Sequence, residues 1–589
     1  MTTATFGARA DLEATGTRRQ IPWPALSVTL FLLGFAAFLF AYFAPAISDP
    51  DDNGYFAQAS LLAQTGHTWF APESDAQFIG MHWLITPTDQ YISRYPPGLS
   101  VLIAGIYKFA GYKIAVATNP ALAIATLLGT YLLARRYFSS GWALTGVFAL
   151  AVNPTFVRHA LSGDAHMAVA LCVAWGTYFL VRWSQDGRTW QIFLAGLVFG
   201  SIPAVRYPDS LIGLGVIAFL WLNRRTHPKF SLHTLAAVLG AAVSLVPLLI
   251  HNQLLLGAFW RTAYALTNEQ TGFAWQYFRE HAIDYVRQIG AGGVGLLFAP
   301  GVVGIAWMCT VPRWRALGTA FAFFIVPLTL LYMAYYWAPP MNAGATMRFL
   351  LPTFPVYAIS AIWMLDQATR AAPNAARVTI PIVLVGTQLL WGASDTLEQA
   401  RQIHYQKQML ALATDAISKE ALVGDVIVSN PQILQQLDYV RQWKLADPTV
   451  LRGGMGMRFG RENDPDAPSP MQPEKRTINS EKYSGSQSER VEKFADDVSA
   501  WAAGRQVWFI GAEREMSQLT DAGEMEIVAR VSMPKQPVLE SRDGPFGRGR
   551  GPGGPPGGRR GGWGPGGGPF GMLTGTRELI IARWTTHTP

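Results

Sequence analysis

Long apolar runs separated by short polar connections fill the chain as far as about residue 393, after which the chain becomes polar. A helix needs about 17–25 apolar residues to cross the hydrocarbon core of a bilayer. We predict spanning helices over residues 25–47, 114–134, 141–157, 165–183, 190–205, 208–223, 233–251, 292–311, 315–337, 348–366 and 377–393. The predicted fold class is a polytopic α-helical membrane protein with these eleven spans.

One further apolar segment, residues 97–110, is shorter than a span needs. Counting it as a span would reverse the side of every later loop and place most basic loops outside, against the positive-inside rule. We therefore predict a re-entrant or surface segment. The alternative is that it spans together with residues 111–114.

Lys and Arg in the short loops set the predicted orientation. The basic loops are 135–136, 182–188, 224–229, 313–315 and 370–377. All of them lie inside if residues 1–24 form a cytoplasmic tail. The first apolar run resembles a signal peptide, but no small-residue cleavage site follows it before Asp49, so a retained helix is predicted. The expected location is the inner (cytoplasmic) membrane, with the C-terminal domain extracytoplasmic.

The predicted domains follow from this topology. Residues 25–393 form the membrane domain, with large outer loops at 48–113 and 252–291. Residues 394–589 contain short apolar runs typical of buried strands, separated by helical patterns, and predict a small α/β domain. Its segment 542–571 is almost entirely Gly, Pro and Arg and cannot form a core, so a disordered insert is predicted.

Composition narrows the class of protein. Only 15% of the residues are charged, against about 25% in soluble proteins. The net charge of +8 comes from the basic loops and the Arg-rich insert, and an extracytoplasmic insert meets no RNA, so no nucleic-acid partner is expected. The two cysteines, Cys172 and Cys309, lie in apolar runs and indicate no disulfide framework.

Three acids, Asp49, Asp51 and Asp52, directly follow the first span. Carboxylates at a membrane edge are costly unless they have a function. One interpretation is a simple acidic helix cap. The others are a general base for an acceptor hydroxyl or amine, and oxygen ligands for a divalent cation.

Several later ionisable or aromatic groups fall on the same outer side, where positive-inside charge does not explain them. These candidate binding residues are Tyr55, Arg94, Tyr95, Arg158, His159, Asp164, His166, Arg206, Asp209 and Arg348. Cations grouped at one membrane face suit a phosphate or pyrophosphate headgroup. For any single residue, snorkelling or pairing with a nearby acid is an equally good explanation.

In the first loop, the acidic pair Asp51-Asp52, followed by Tyr55 and an alanine-rich helix, resembles a motif of the GT-C glycosyltransferases that use polyprenyl-phosphate sugars. The resemblance is to the protein-mannosyltransferase and aminoarabinose-transferase kind. The double-proline element 95–98 is similar as well, although several relatives have Lys where this chain has Tyr95. Asp52 stands where Glu is usual.

Two later elements, Asp164 at an outer helix start and 348–352 in a late span, are similar to the same family, so the resemblance covers roughly residues 25–393. It implies a catalytic role for Asp51, with Asp52 in the family's second acidic position. The implied partners are a polyprenyl-phosphate-linked sugar donor, a glycan, lipid or protein acceptor, and the lipid bilayer. A transporter or flippase of a lipid-linked sugar is the alternative function, and a scaffold with an outer sensing domain is a further one.

Overall fold

The computed structural model describes residues 23–86, 88–267, 272–336, 346–452, 482–535 and 577–586. The predicted cytoplasmic tail lies, apart from its last two residues, outside the described residues, and so does the whole of the predicted insert at 542–571.

Helices dominate the chain before residue 421. They are α1 Trp23–Ala41, α2 Pro50–Thr65, α3 Gly98–Ala110, α4 Tyr112–Ala115, α5 Thr118–Ala134, α6 Ser140–Ala151, α7 Pro154–Leu161, α8 His166–Asp186, α9 Thr189–Gly200, α10 Ile202–Val205, α11 Gly213–Asn223, α12 Phe230–Leu256, α13 Trp275–Gln288, α14 Phe298–Thr310, α15 Arg315–Met333, α16 Phe354–Thr369 and α17 Asn374–Glu420. Short 3₁₀ turns at Pro208–Ile212 and Arg348–Thr353 lead into α11 and α16.

By length and composition, seven helices of the described part can each cross a membrane, and an eighth candidate is α6 with α7, which are bent by 67°. Four shorter apolar helices accompany them: Gly98–Ala110, Thr189–Val205, Pro208–Asn223 and Gly295–Thr310. Large apolar side chains on the spans are exposed, such as Leu33 on α1 at 61% and Val243 on α12 at 59%. Apolar surface of this extent needs lipid rather than water around it. The protein is an integral membrane protein.

Helix α3 is separate from the span that follows it. It ends at Gly111, whose φ of 81° is a left-handed conformation that an L residue rarely adopts. At about 1.5 Å per residue its 13 residues cover about 20 Å, less than the hydrocarbon core. The side of the membrane on which α3 lies stays a prediction.

The predicted outer loop 48–113 is folded. It contains α2, a small antiparallel sheet and α3, and the sheet has the strand order β1-β3-β2. The strands are β1 Trp69–Phe70, β2 Trp83–Ile85 and β3 Tyr91–Ser93. Strand β3 leads directly into the double proline, so the sheet holds residues 94 and 95 against α2.

The C-terminal part of the chain, from residue 421 onward and called the sheet domain below, is built on a five-stranded mixed sheet with the order β5-β4-β6-β8-β7. Its elements are β4 Val426–Ser429, α18 Pro431–Leu437, β5 Lys444–Ala446, α19 Gln487–Ala502, β6 Val507–Gly511, α20 Glu513–Met516, β7 Gly523–Ser532 and β8 Glu578–Thr586. Strands β5, β4 and β6 are parallel, and β8 and β7 continue the sheet antiparallel. Strand β4 is buried along its whole length, as expected of a parallel strand covered on both faces.

One helix continues across residue 393, where the sequence changes from apolar to polar. The last apolar run, 377–393, and the polar run after it form one 47-residue helix, α17. The side chains on the surface of a helix differ between lipid and water, but the hydrogen-bonded helical backbone is the same in both. A change from apolar to polar residues therefore need not end a helix. The polar residues of helix α17 therefore lie close to the first loop.

Helices α9 and α12 approach unusually closely. A Cβ atom on Gly196 would lie 2.0 Å from the carbonyl oxygen of Ala237, and one on Gly240 would lie 2.1 Å from that of Phe193. Small residues at such spacing let membrane helices pack backbone to backbone.

We expect Gly240→Ala to lower the thermal unfolding midpoint of the detergent-solubilised protein by several degrees, because the new methyl group must separate two packed helices. Gly34→Ala is the control, since nothing lies within 4 Å of a Cβ at that position of α1. Equal midpoints for the two variants would contradict the close packing.

Candidate active site

The acidic cluster lies at the start of α2. Asp49 caps the helix, its backbone is extended (φ −112°, ψ 141°), and its Oδ1 accepts a hydrogen bond of 3.1 Å from the amide of Asp51. Pro50 occupies the first turn, where its missing N–H costs no hydrogen bond. The capping interpretation therefore applies to Asp49 and leaves the other two acids to other partners.

Asp51 joins three distant parts of the chain. Its Oδ1 accepts from the Tyr95 hydroxyl at 2.7 Å and lies 2.9 Å from Nε2 of His82. Its Oδ2 is 2.9 Å from the Arg348 guanidinium, which starts the 3₁₀ turn before α16. The first loop and a late span thus meet at one carboxylate.

The electrostatics keep Asp51 ionised. Burial by itself raises its pKa, but Arg348, with His82 and Tyr95, holds the pKa of this carboxyl well below its usual range. The side chain remains 16% exposed, so a ligand can still reach it. An ionised, accessible carboxylate can accept a hydrogen bond from a substrate hydroxyl.

Asp52 faces away from this contact and is fully buried. Its Oδ1 accepts from the Gly163 amide at 2.9 Å. Burial, partly offset by Lys407 of α17, raises the pKa of Asp52 to about 8. Lys407 is itself buried and donates to the carbonyl oxygen of Leu161 at 2.5 Å. Asp52 therefore connects α2 to the turn before α8 as a carboxylic acid that is neutral at pH 7.

The turn before α8 carries a second group of polar residues. Asp164 accepts hydrogen bonds from the His159 ring, from the Ser162 hydroxyl at 2.8 Å and from the His166 amide at 3.0 Å. Although burial raises it, His159 and His166 keep the pKa of Asp164 below its ordinary value. The two imidazole rings lie 5.5 Å apart between centroids.

Two arginines converge on the ring of Phe349. Arg206 and Arg348 place their guanidinium carbons 5.6 Å and 5.2 Å from its centroid. Arg206 also binds Asp209 at 2.5 Å and the Tyr332 hydroxyl at 3.1 Å. Arg348 has a buried Nε with no hydrogen-bond partner among the described residues. This pair of guanidinium groups is a suitable receptor for phosphate oxygens.

Tyr55 and Arg94 complete this face. Tyr55 stacks on Tyr95 with ring centroids 4.5 Å apart. Arg94 is buried over the rings of Tyr95 and Tyr264, at 5.8 Å and 5.2 Å, and one of its guanidinium nitrogens lies 3.5 Å from His82. Arg94 thus supports the residues that touch Asp51.

Every candidate residue named from the sequence falls within the described part of the chain. Within the described part of the chain Arg158 makes no hydrogen bond or ion pair with these acids, but its positive charge lowers the pKa of Asp49, which burial raises. The sequence reasoning missed His82, Lys407 and Tyr332. His82 could have been proposed from the sequence as one of the two histidines of the first loop. Lys407 could not, because it lies in the polar residues after 393, which the sequence assigns to the C-terminal domain.

The divalent-cation interpretation of the Asp triplet stays a prediction. The three carboxylates point to different partners, and the groups around Asp51 include a guanidinium and a hydroxyl. In the described ranges, no three His, Cys, Asp or Glu side chains are grouped as metal ligands.

A family profile matches part of the chain. The profile described as dolichyl-phosphate-mannose-protein mannosyltransferase matches residues 94–251, which include the double-proline element and the turn before α8. The match begins after the Asp51 region. No curated protein sequence gives a significant match.

Solved structures share the fold. ArnT from Cupriavidus metallidurans bound to undecaprenyl phosphate has a TM-score of 0.53 and 13% identity, covering 86% of this chain and 96% of that one. The same protein in the apo state gives a TM-score of 0.51 and 12% identity, with the same coverage. An Archaeoglobus fulgidus oligosaccharyltransferase in complex with zinc and sulfate has a TM-score of 0.45 and 13% identity over 72% of this chain. This chain spans only 62% of that protein.

The resemblance inferred from the sequence is thus confirmed. The chain shares its fold with ArnT, and the match of residues 94–251 to the mannosyltransferase profile agrees with the predicted glycosyltransferase class.

Because burial raises the pKa of Asp52 to about 8, the wild-type carboxyl stays protonated in the folded state at pH 7 although it ionises on unfolding. We expect Asp52→Asn, which avoids this cost, to unfold several degrees above the wild type there, and Asp52→Ala, which also loses the bond to Gly163, to unfold below the Asn variant. The folded-state pKa is raised, so the wild type loses stability as pH rises from about 4 toward 8, and Asp52→Asn lacks that loss. Thermal unfolding in detergent at pH 6, 7.5 and 9 measures both effects. A midpoint difference between Asn and wild type that does not change with pH would show that Asp52 is ionised.

Proposed function

We propose that the protein transfers a sugar from a polyprenyl-phosphate donor to an acceptor on the extracytoplasmic face of the membrane. The observation that carries the proposal is the contact between Asp51 and Arg348 at 2.9 Å. It puts a group suited to the acceptor beside a group suited to the phosphate. The fold shared with ArnT, one structure of which contains undecaprenyl phosphate, supports the donor class.

The acceptor end of the site is assigned to Asp51. Of the acids around it, Asp52 is fully buried and Asp164 is 4% exposed, whereas Asp51 keeps 16% exposure of its side chain. Its low pKa makes it a weak base. A weak base suffices, because the hydroxyl proton becomes acidic only as the new bond to the sugar forms.

The proposed reaction is a single displacement. The acceptor oxygen attacks the anomeric carbon, the bond from that carbon to the phosphate oxygen breaks, and its electron pair leaves with the polyprenyl phosphate. The acceptor proton passes to Asp51 and from there to the released phosphate. One displacement inverts the anomeric centre.

The phosphate end is assigned to Arg348 and Arg206. Both are held at the Phe349 ring, and the buried Nε of Arg348 still has a proton to donate. Charge-assisted bonds from these groups would stabilise the negative charge that grows on the departing phosphate. Tyr55, Tyr95 and Arg94 then line the side nearest the acids, and Arg158, His159 and His166 the side nearest α8.

The proposed topology places this chemistry outside. With eleven spans and a cytoplasmic N-terminus, α2, the turn before α8 and the start of α16 all lie on one face, as does the sheet domain. Their contacts with one another support a common side, since Asn53 of α2 donates to Asp438 of the sheet domain at 3.1 Å.

We expect Asp51→Asn to reduce sugar release from a labelled polyprenyl-phosphate donor by at least about 1,000-fold, because the amide cannot take the acceptor proton. Purified protein in detergent, with and without a chelator, is the sample. Asp415→Asn is the matched control, since Asp415 is 48% exposed and pairs with the exposed Lys113. Near-normal turnover of the Asp51 variant would remove Asp51 from the mechanism, and an intact donor with wild type across an acceptor panel would favour a transporter.

We expect Arg348→Ala to weaken donor binding by about 10-fold or more, the usual loss for a charged hydrogen bond. The variant also loses the cation that keeps the pKa of Asp51 low, so the acidic limb of its pH–rate profile moves to higher pH. Arg287→Ala, at a side chain 75% exposed, is the control. Unchanged donor affinity together with an unshifted acidic limb would exclude this role.

A further inference from the structure

The sheet domain contains a cavity that the transfer site does not use. It has a volume of about 220 Å³ and is lined by residues of the loops after β4, β5 and β6 and by the start of α19. The residues that matter here are Asn430, Thr449, Arg490, Phe509, Glu515 and Gln518.

The topology of the sheet explains why a cavity forms there. After β4 the chain turns to one side, to β5, and it then crosses to the other side of β4 to form β6. The loops that leave β4 and β6 therefore diverge, and they leave a crevice at the carboxyl ends of two parallel strands. Ligands of open α/β sheets bind at such a switch point.

The two strand ends are fastened to each other. Asn430, directly after β4, donates from its side chain to Glu515 at 3.2 Å. The same carboxylate oxygen accepts from the amide of Ala512, directly after β6, at 3.0 Å. Phe509 of β6 is 1% exposed and forms part of an apolar wall. The crevice is therefore a preformed site with a rigid floor.

One group in the crevice has no partner. Nε of Arg490 is buried, and no acceptor lies within hydrogen-bond distance of it in the part of the chain that the structure describes. A buried guanidinium N–H without an acceptor is costly. We assign the acceptor position beside this Nε to an oxygen atom of a ligand.

The lining selects the chemistry of that ligand. One arginine is balanced by one glutamate, so the crevice has no surplus charge for a phosphate or a nucleotide. The lining combines the amide of Gln518 and the hydroxyl of Thr449 with apolar side chains such as Phe509, a combination that suits sugar hydroxyls and sugar C–H faces. The volume is below the roughly 300–1,000 Å³ of sites for drug-sized ligands, which limits the occupant to about one sugar unit.

We propose that this crevice is a second binding site, one that holds a neutral sugar unit of the acceptor glycan while another part of the acceptor reaches Asp51. The assignment of this sugar to the acceptor rests on the proposed transfer function. The binding site itself does not. Helix α18, which directly follows Asn430, contacts the first loop, since the side-chain amide of Asn53 in α2 donates to the carbonyl oxygen of Gln435 at 3.2 Å.

The test uses the full-length protein in detergent and an array of neutral and acidic di- to tetrasaccharides, with affinities measured by titration calorimetry for those retained. We expect at least one neutral saccharide to bind the wild type, and Arg490→Ala to weaken it by about 10-fold or more. Gln518→Ala gives a second reading if the arginine variant fails to fold. Arg505→Ala is the control, because Arg505 is exposed and lies just before the amino end of β6, whereas the crevice lies at its carboxyl end.

Loss of binding in Arg490→Ala with full binding in Arg505→Ala supports the site. Retention of acidic saccharides only, equal binding by the two arginine variants, or no saccharide bound to the wild type would each overturn it. Donor cleavage by the wild type is measured separately. Cleavage without saccharide binding contradicts this inference alone, and saccharide binding without donor cleavage contradicts the proposed function alone.

Discussion

The ion pair between Asp51 and Arg348 is the contact on which the arrangement of the site depends. It connects residues almost 300 positions apart, one in the first loop and one at the start of a late span. Both side chains are largely buried, and a buried charge that has lost its partner strongly destabilises the folded state. The loop can therefore pack in few other ways, and its position brings Tyr95 and His82 to the same carboxylate.

Around this pair, other buried acidic and basic groups also lie close to one another. Lys407 of the long α17 lies near Asp52, and Asp209 binds Arg206. These contacts leave the Asp51 carboxylate accessible beside two guanidinium groups. The site thus separates the group suited to an acceptor from the groups suited to a phosphate, which is what transfer from a lipid phosphate requires.

Much of the fold and of the site could be predicted from the sequence, because a small number of rules governs the length and the flanking charges of membrane helices. The length of an apolar run predicts a span, and charged residues at the outer edge of the membrane that these rules do not explain predict a site. Asp51 and Arg348 were both identified in this way. The short α3 was expected to be distinct from the neighbouring spans, and Gly111 separates it from the next helix. The family resemblance rested on the same residues and is confirmed at the level of fold and enzyme class.

Other features depend on tertiary contacts that a pattern does not contain. Lys407 lies in a polar run, and only the continuity of α17 with the last apolar run carries it to Asp52. The crevice near Arg490 depends on the order of strands in the sheet, which follows from which strands pair and not from any one segment. The distinction between Asp51 and Asp52 likewise comes from burial, since the two adjacent acids are alike in sequence.

A double-mutant cycle of Asp51→Asn and Arg348→Gln, read out as affinity for a polyprenyl-phosphate sugar, tests the central claim most directly because binding needs no turnover. Asp51 competes with the phosphate for Arg348, so the account predicts that Asp51→Asn alone strengthens donor binding and that this gain disappears when Arg348 is already Gln. The two effects would then be non-additive by about 1 kcal/mol or more. Additive effects, or a loss in Asp51→Asn as large as that in Arg348→Gln, would contradict the assignment of the two groups to opposite ends of the reaction.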